Sequence, residues 1–373
     1  MSLKEYKVED IAKIKYGKMP PKDIIKDSGY PVFSGYGITG YASNYNTKEP
    51  SVVIIARGVG GTGKVKISPE KAWITNLCLI LDTDKKLVND YFLYNYLGLM
   101  NLKSKLDTGS AQSQITVNSL APFKISLPKL ETQEKIADIL SAYDDLIENN
   151  LKRIELLEEQ AQLTYEEWFV RMKFPGHECA VIDSETDLPK GWNIVKLKDI
   201  CRLIMGQSPK SEFYNYDGEG LPFHQGVKDF GFRFPENNTW STEGNRIAEK
   251  DSILFSVRAP VGRLNVAIEK IVLGRGLAAI NHKDGLNSLL LYQLQSIFFR
   301  DNLMGGGTIF NSVTKKDIEG IKLVQPSKDL AEQFNALAKN IDDLIKNLSL
   351  QNKLLKEARD ILLPRLMTGM IEV

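Results

Sequence analysis

"ITVNSLAPFKISLPKLETQEKIADILSAYDDLIENN", Ile115 to Asn150, recurs 198 positions later as "VTKKDIEGIKLVQPSKDLAEQFNALAKNIDDLIKNL", Val313 to Leu348, without a gap. The copies set Pro128 on Pro326, Glu134 on Glu332, and the "DDLI" at Asp144 on the "DDLI" at Asp342. Self-similarity at a fixed period marks a duplicated structural unit. Upstream the match loosens but persists. "KVEDI" at Lys7 answers "KLKDI" at Lys196, Gly17 answers Gly206, and "IIARGVGG" around Arg57 answers "FSVRAPVG" around Arg258. The chain therefore reads as one plan used twice, a globular segment followed by a long helix.

Each globular segment holds short β-branched runs between glycine-rich turns: "SVVIIAR" and "AWITNLCLIL", then "DSILFSVR" and "LNVAIEKIVL". Such runs predict strands. One apolar stretch of helical period accompanies each set, "DYFLYNYLGLMNLKSKL" and "LNSLLLYQLQSIFFRDNLM". The fold class is α+β, in two similar globular domains. After Pro128 and after Pro326 come segments of roughly 35 to 42 residues without Pro or Gly, longer than the usual globular helix and of heptad-like spacing. The expected division is a first domain at 1–128, a central long helix at 129–172, an extended linker at 173–189, a second domain at 190–325, a C-terminal long helix at 326–367 and a tail at 368–373.

Steps of four and three along the first helix read Ile136, Leu140, Tyr143, Ile147, Asn150, Ile154, Leu157, Ala161, Thr164 and Trp168. The same seam in the second runs from Phe334 through Asn352 to Leu366. A lone Asn in an apolar seam is costly unless paired, and pairing fixes register. An antiparallel coiled coil with pseudo-twofold symmetry, centred near residue 152 of the first helix and 350 of the second, pairs Asn150 with Asn352. It also sets Ile136 opposite Leu366, Ile147 opposite Leu355 and Trp168 opposite Phe334, and leaves Tyr143 to cover Arg359.

Formal charge is +1 overall, but it is unevenly distributed. Residues 1–129 carry 18 Lys and Arg against 11 Asp and Glu, and residues 190–326 carry 18 against 14. Residues 130–189 carry 5 against 15, and residues 327–373 carry 7 of each. Basic domains joined by acidic or neutral helices suit a phosphate-facing surface on the domains; ordinary domains beside a solvated helix face would give the same counts. Cys78, Cys179 and Cys201 lie far apart, with neither a C-x-x-C pair nor clustered His, so neither a disulfide framework nor a zinc site is expected. The sequence has no apolar run of membrane-spanning length, and a cytoplasmic protein is expected.

"FSGYGITG", Phe33 to Gly40, matches both F-x-G-x-G and G-x-G-x-x-G. These fingerprints need a helix whose N-terminus meets the ligand. The adjoining "YASNYNTKEPS" is turn chemistry instead, and no acidic residue lies between Glu49 and Glu70. A glycine-rich loop between strands is expected, and no cofactor is expected on this chain.

Several long motifs extend the comparison: "LPKLETQEKIADILSAYDDLIENN" with "LLEEQAQLTYEEWF", "LLPRLMTGMI", "FPGHE" followed by "LPKGW", "GEGLPFHQGVKDFG" and "VLGRGLAAI". With the duplicated layout, they make the chain resemble the specificity subunit of type I restriction-modification systems over nearly its whole length. The resemblance implies two target recognition domains, each reading one half of a split site in double-stranded DNA, with helices that dock methyltransferase subunits. A restriction/translocase subunit can join the assembly. It further implies a non-catalytic chain whose partner methyltransferase holds S-adenosylmethionine, with no membrane partner. Two copies of the helix surface would take two methyltransferase subunits. A related system with a fused methyltransferase-nuclease partner, or a non-DNA adaptor, would share the layout.

Comparison of the halves nominates residues. Features common to both suit phosphate or framework, as with Arg57, Lys64, Arg258 and Arg263; features that differ suit base reading. The unlike loops supply Gln112, Gln114 and Asn311, whose amides can read adenine edges, together with Ser34, Tyr36, His224, Gln225, Lys228 and Arg233. For the partner surface the candidates are Glu131, Glu134, Asp144, Asp145, Asp342 and Asp343.

Overall fold

The computed structural model describes residues 2–58, 60–107, 113–303 and 313–373. The chain forms two units, one of Met1–Asn150 with Leu350–Val373 and one of Leu151–Ser349. Each unit contains one globular domain and a stretch of both long helices.

The first unit opens with β1 (Lys4–Lys7), the single turn α1 (Val8–Ile11) and β2 (Ala12–Tyr16). In "KVEDI" the Asp10 carboxylate accepts the Lys7 backbone N–H at 2.8 Å, which closes the turn. Next come β3 (Ile25–Lys26), β4 (Tyr30–Ser34), β5 (Gly37–Ala42), β6 (Val52–Ile55), β7 (Val65–Ile67), β8 (Trp73–Ile74) and β9 (Cys78–Thr83). They build two sheets. One is antiparallel throughout in the order β2-β9-β6-β7; the other runs β3-β5-β4-β8, with β4 and β8 parallel. "VVII" of β6 is buried at every position, as a central strand covered on both faces must be. "FSGYGITG" is the β4–β5 hairpin, strand followed by strand.

The apolar helical stretch divides into α2 (Asp90–Leu99) and α3 (Leu102–Leu106), because the Asn101 side chain caps a new helix by accepting Ser104 N–H at 3.1 Å. α4 (Val117–Leu120) and β10 (Lys124–Leu127) follow, and β10 pairs with β1 to deliver the chain to α5 (Leu130–Tyr165). Phe92, Leu97, Leu102 and Leu120 share one core with Ile54, Leu79, Ile136, Leu140 and Leu366. The fully buried Gln133 fastens the helix start: its amide donates to Leu87 O and Pro128 O and accepts Asn89 N–H.

The second unit repeats the order with β11 (Asn193–Lys196), α6 (Leu197–Ile200), β12 (Cys201–Met205), β13 (Tyr214–Asn215), β14 (Leu221–His224), β15 (Trp240–Ser241), β16 (Ile247–Ala248), β17 (Ile253–Ser256), β18 (Leu264–Val266), β19 (Ile271–Leu273) and β20 (Leu277–His282). α7 (Asn287–Leu303), α8 (Lys315–Glu319), β21 (Lys322–Gln325) and the first part of α9 (Lys328–Met367) complete it. The order β12-β20-β17-β18 copies the first sheet, while the other sheet gains a strand, β13-β15-β14-β19-β16. Asp199 closes the "KLKDI" turn as Asp10 closes "KVEDI". Gly17 and Gly206 correspond because a Cβ at either would lie 2.1 to 2.3 Å from a backbone carbonyl oxygen, that of Thr75 or Gly274. Residues 173–189, expected to be extended, contain a 3-10 turn at His177–Cys179 and an Ile182–Pro189 bridge, and Phe174 packs on Trp192.

The 36-residue α5 continues through Glu166–Val170 as a π turn, and the 40-residue α9 passes through Pro364. In the first unit their stretches run antiparallel: Ile136 and Leu366 share the core, and Asn150 Nδ2 donates to Asn352 Oδ1 at 3.0 Å. In the second unit Trp168 meets Phe334 with ring centroids 5.7 Å apart, and Ile154 and Leu348 share a cluster. The Arg359 charge, expected under Tyr143, is instead met by Asp144 and Asp360, since a carboxylate neutralises a guanidinium that a ring only covers.

Candidate DNA-recognition surface

Both domains use one loop frame. In the first unit Ala56 N–H donates to Leu77 O, and Ala56 O accepts Ile115 N–H at 2.8 Å; in the second, Val257 N–H donates to Gly276 O, and Val257 O accepts Val313 N–H at 3.1 Å. The loops after β6 and β17 are thereby pinned to the segments that lead into the helix-entry strands. Arg57 and Arg258 stand at the same place in this frame.

In the first unit the frame gathers Tyr36, Arg57, Lys64 and Gln114. Arg57 forms an antiparallel bridge with Gln114, and the Thr62 hydroxyl lies 3.2 Å from Gly58 O and 3.3 Å from Ser113 O. Arg57 Nε is buried without a partner among the described residues, so that guanidinium retains donor capacity. Lys64 is exposed on the β6–β7 turn, and Tyr36 is 66% exposed at the β4–β5 tip. Ser34 is buried, its hydroxyl accepting Tyr36 N–H, so it shapes the hairpin instead of facing outward. Gln112 and Asn311 lie outside the described residues.

In the second unit Gln225, Lys228, Arg258 and Arg263 are exposed. The Gln225 backbone crosses Gly274 and Gly276 so closely that a Cβ at either glycine would come within 2.6 Å of it, which accounts for two glycines of "VLGRGLAAI". Between them Arg275 is exposed on the same crossing, with its backbone N–H on Ser208 Oγ. Comparison of the halves does not single out Arg275, because the first domain has no matching Gly-Arg-Gly.

Two expected contacts are placed inside the fold. His224 is fully buried, with Nε2 3.0 Å from Asn237 Oδ1. Burial holds its imidazole below the usual range, against the opposing pull of Asn237 and Asp229. Arg233 is 4% exposed; it donates to Tyr292 Oη at 2.7 Å and Asp342 Oδ1 at 2.9 Å and pairs with Glu158 at 3.0 Å. A buried guanidinium with these partners does not face a phosphate. A sequence reading sees only a cation in a polar loop; the carboxylates that claim it stand 75 positions upstream, Glu158, and 109 downstream, Asp342.

The acidic candidates also divide. Tyr91 donates to Asp144, as Tyr292 donates to Asp342, so the first Asp of each "DDLI" docks the domain's own helix onto the long helix. Burial, and then the adjoining carboxylate, raise the hydroxyl pKa of Tyr91. Glu131, Glu134, Asp145 and Asp343 are exposed. Beside them lie apolar positions that a charge-based reading overlooked: Ile139 and Leu337, 36 and 37% exposed, and Leu146 and Leu344, 52 and 48%. Each pair is related by the 198-residue shift. Leu156 with Leu354, and Leu163 with Ile361, repeat the pattern.

Among the described residues, no group of His, Cys, Asp and Glu could hold a metal ion, and no helix is long and apolar enough to cross a membrane.

Comparison with known proteins agrees with this anatomy. The family profile described as type I restriction modification DNA specificity domain matches residues 2–159 and again 189–359. A chain designated the type I restriction enzyme MjaX specificity subunit, from Methanocaldococcus jannaschii, is 34% identical over 303 residues, covering 79% of this chain and 71% of that one. The type I restriction enzyme HindI specificity subunit of Haemophilus influenzae is 25% identical over 327 residues, 69% of this chain and 71% of that one. The crystal structure of the type I restriction-modification S subunit from M. genitalium shares the fold, with a TM-score of 0.67 at 19% identity, over 98% of this chain and 96% of that one. Two matched copies spanning the two halves, on a duplicated domain-plus-helix plan, establish that the chain belongs to the specificity subunits of type I restriction-modification systems.

Proposed function

We propose that each globular domain reads one half of a split DNA site, and that the long helices carry two methyltransferase subunits that perform the chemistry. Specificity subunits are themselves non-catalytic, and their complexes act on DNA with methyltransferase and restriction subunits. One observation carries the bipartite reading: the Ala56 and Val257 frame is the same in both domains, but it surrounds unlike side chains. A common frame suits phosphate contacts, which position a protein without reading sequence; unlike side chains suit base edges. Arg57, Lys64, Arg258 and Arg263 are assigned to phosphate. Tyr36, Gln114, Gln225 and Lys228 are assigned to the grooves, and Arg275 joins them. The exposed aliphatic pairs, with Glu131, Glu134, Asp145 and Asp343, form the partner surface.

The test is a domain exchange. Residues 1–128 are replaced by the corresponding domain of another specificity subunit, and the methylated motif is mapped with the partner methyltransferase present. One half of the motif should change while the other stays. A change in both halves, or methylation without a split motif, would overturn the reading.

A further inference from the structure

Ile38 is 55% exposed although it stands on an ordered hairpin that could have carried a polar residue. Its surroundings are built. Ser34 pairs with Gly37 across a tight turn, and Ile38 is the cross-strand partner of Phe33. The register shifts between Val32 and Phe33, leaving Thr39 as the extra residue of a bulge, its hydroxyl 3.3 Å from Val32 O. Bulges of this kind re-aim the side chains beside them. Lys66 Nζ lies 5.9 Å from the Phe33 ring centroid and 3.2 Å from Gly35 O, so a positive charge is held next to the tip. The Tyr36 ring rests over Gly58, its hydroxyl 3.7 Å from where a Cβ would stand, and this joins the hairpin to the Arg57 loop.

The result is a partly apolar tip with Lys66 against its backbone and the Arg57 loop beside its tyrosine. Cations at this density suit phosphates, and one apolar group among them suits the one apolar feature of the major groove, the C5-methyl of thymine. A preordered tip loses little entropy on binding. The second domain has no such hairpin: β14 runs into a 3-10 turn at Val227–Asp229. A feature confined to one domain fits a contact that distinguishes one half-site from the other.

We infer that Ile38 reads a thymine methyl in the half-site bound by the first domain. The inference rests on the proposed DNA-reading role. It is tested with the full complex of this chain and its methyltransferase partner, on duplexes in which each thymine of that half-site is replaced singly by deoxyuridine. One replacement should weaken wild-type binding about fourfold, the effect of burying roughly one methyl group. Ile38→Ala should weaken binding to thymine DNA by a similar factor and be indifferent to that replacement, while Ile38→Val retains most of the sensitivity. Sequence-specific binding in which every replacement acts equally on wild type and Ile38→Ala, or a half-site without thymine on either strand, overturns the inference and leaves the DNA-reading role standing. Binding with no sequence preference overturns both.

Discussion

Asn150 and Asn352 show how one polar pair can specify a helix register. Both amides are buried in an apolar seam; Asn150 donates to Asn352, and Asn352 Nδ2 reaches Ile147 O at 3.4 Å. Sliding either helix would strand an amide among leucines. Replacing Asn150 with Leu leaves Asn352 in that position and should lower stability by about 1–3 kcal/mol in urea unfolding. The double replacement Asn150→Leu with Asn352→Leu should recover most of the loss, and a double variant as unstable as the sum of the singles would count against this pairing. His224 and His282 make the opposite kind of commitment. Burial depresses both imidazoles, and His282 Nδ1 accepts Asp284 N–H, which requires an unprotonated nitrogen. Their folded-state affinity for protons lies below that of the unfolded chain, so the unfolded state binds more protons once the pH falls through the ordinary imidazole range, about 6.5. Stability should therefore be fully present above that range and decline below it. Urea midpoints measured between about pH 7.5 and 5.5 should fall, and His224→Gln should flatten part of the decline; midpoints that stay level would mean the rings protonate freely in the fold.

At the scale of elements, the long helices are also the walls against which the domains pack, and buried ion pairs make the joint. The turn around Arg233 is tied to α5 through Glu158 and to α9 through Asp342, with Tyr292 bridging. Removing one member of a buried network leaves uncompensated charge, so Arg233→Met should cost about 3–5 kcal/mol of stability. At temperatures where the variant is folded, the salt dependence of DNA binding should be unchanged. Arg258→Ala should do the reverse, leaving the thermal midpoint in place and reducing the salt slope by about one; the opposite assignment of effects would exchange the two roles. These two arginines also mark what was legible in the sequence. The duplication, the helices, the seam register and the strand-rich domains emerge from local period and from comparison of the halves, because both are written in neighbouring residues. Burial of Arg233 and His224 depends on which elements meet in space. The docking role of the first aspartate was equally hidden, since "DDLI" reads as an acidic surface, whereas Asp144 and Asp342 take the hydroxyls of Tyr91 and Tyr292 while Leu146 and Leu344 face out.

For the whole molecule the duplication has a stoichiometric consequence. Each unit carries five exposed aliphatics on its helix stretches, of which four recur by the repeat: Ile139, Leu146, Leu354 and Ile361 in the first, and Leu156, Leu163, Leu337 and Leu344 in the second. The shift by 198 converts one set into the other, so the chain offers the same apolar set twice, with Asp145 beside Leu146 and Asp343 beside Leu344. Helices that expose leucines repeatedly at the same duplicated positions mark interaction surfaces more than chance exposure. Two equivalent surfaces related by an internal repeat should bind two copies of one partner, as in a symmetric assembly. Native mass spectrometry with excess methyltransferase should therefore show two methyltransferase subunits per chain. Leu146→Asp should remove one of them and Leu344→Asp the other, each leaving a complex with a single methyltransferase, and the double variant should bind neither while circular dichroism shows the helices intact. Saturation at one methyltransferase in the wild type, or loss of both from either single variant, would mean that the repeated leucines do not form two independent docking sites.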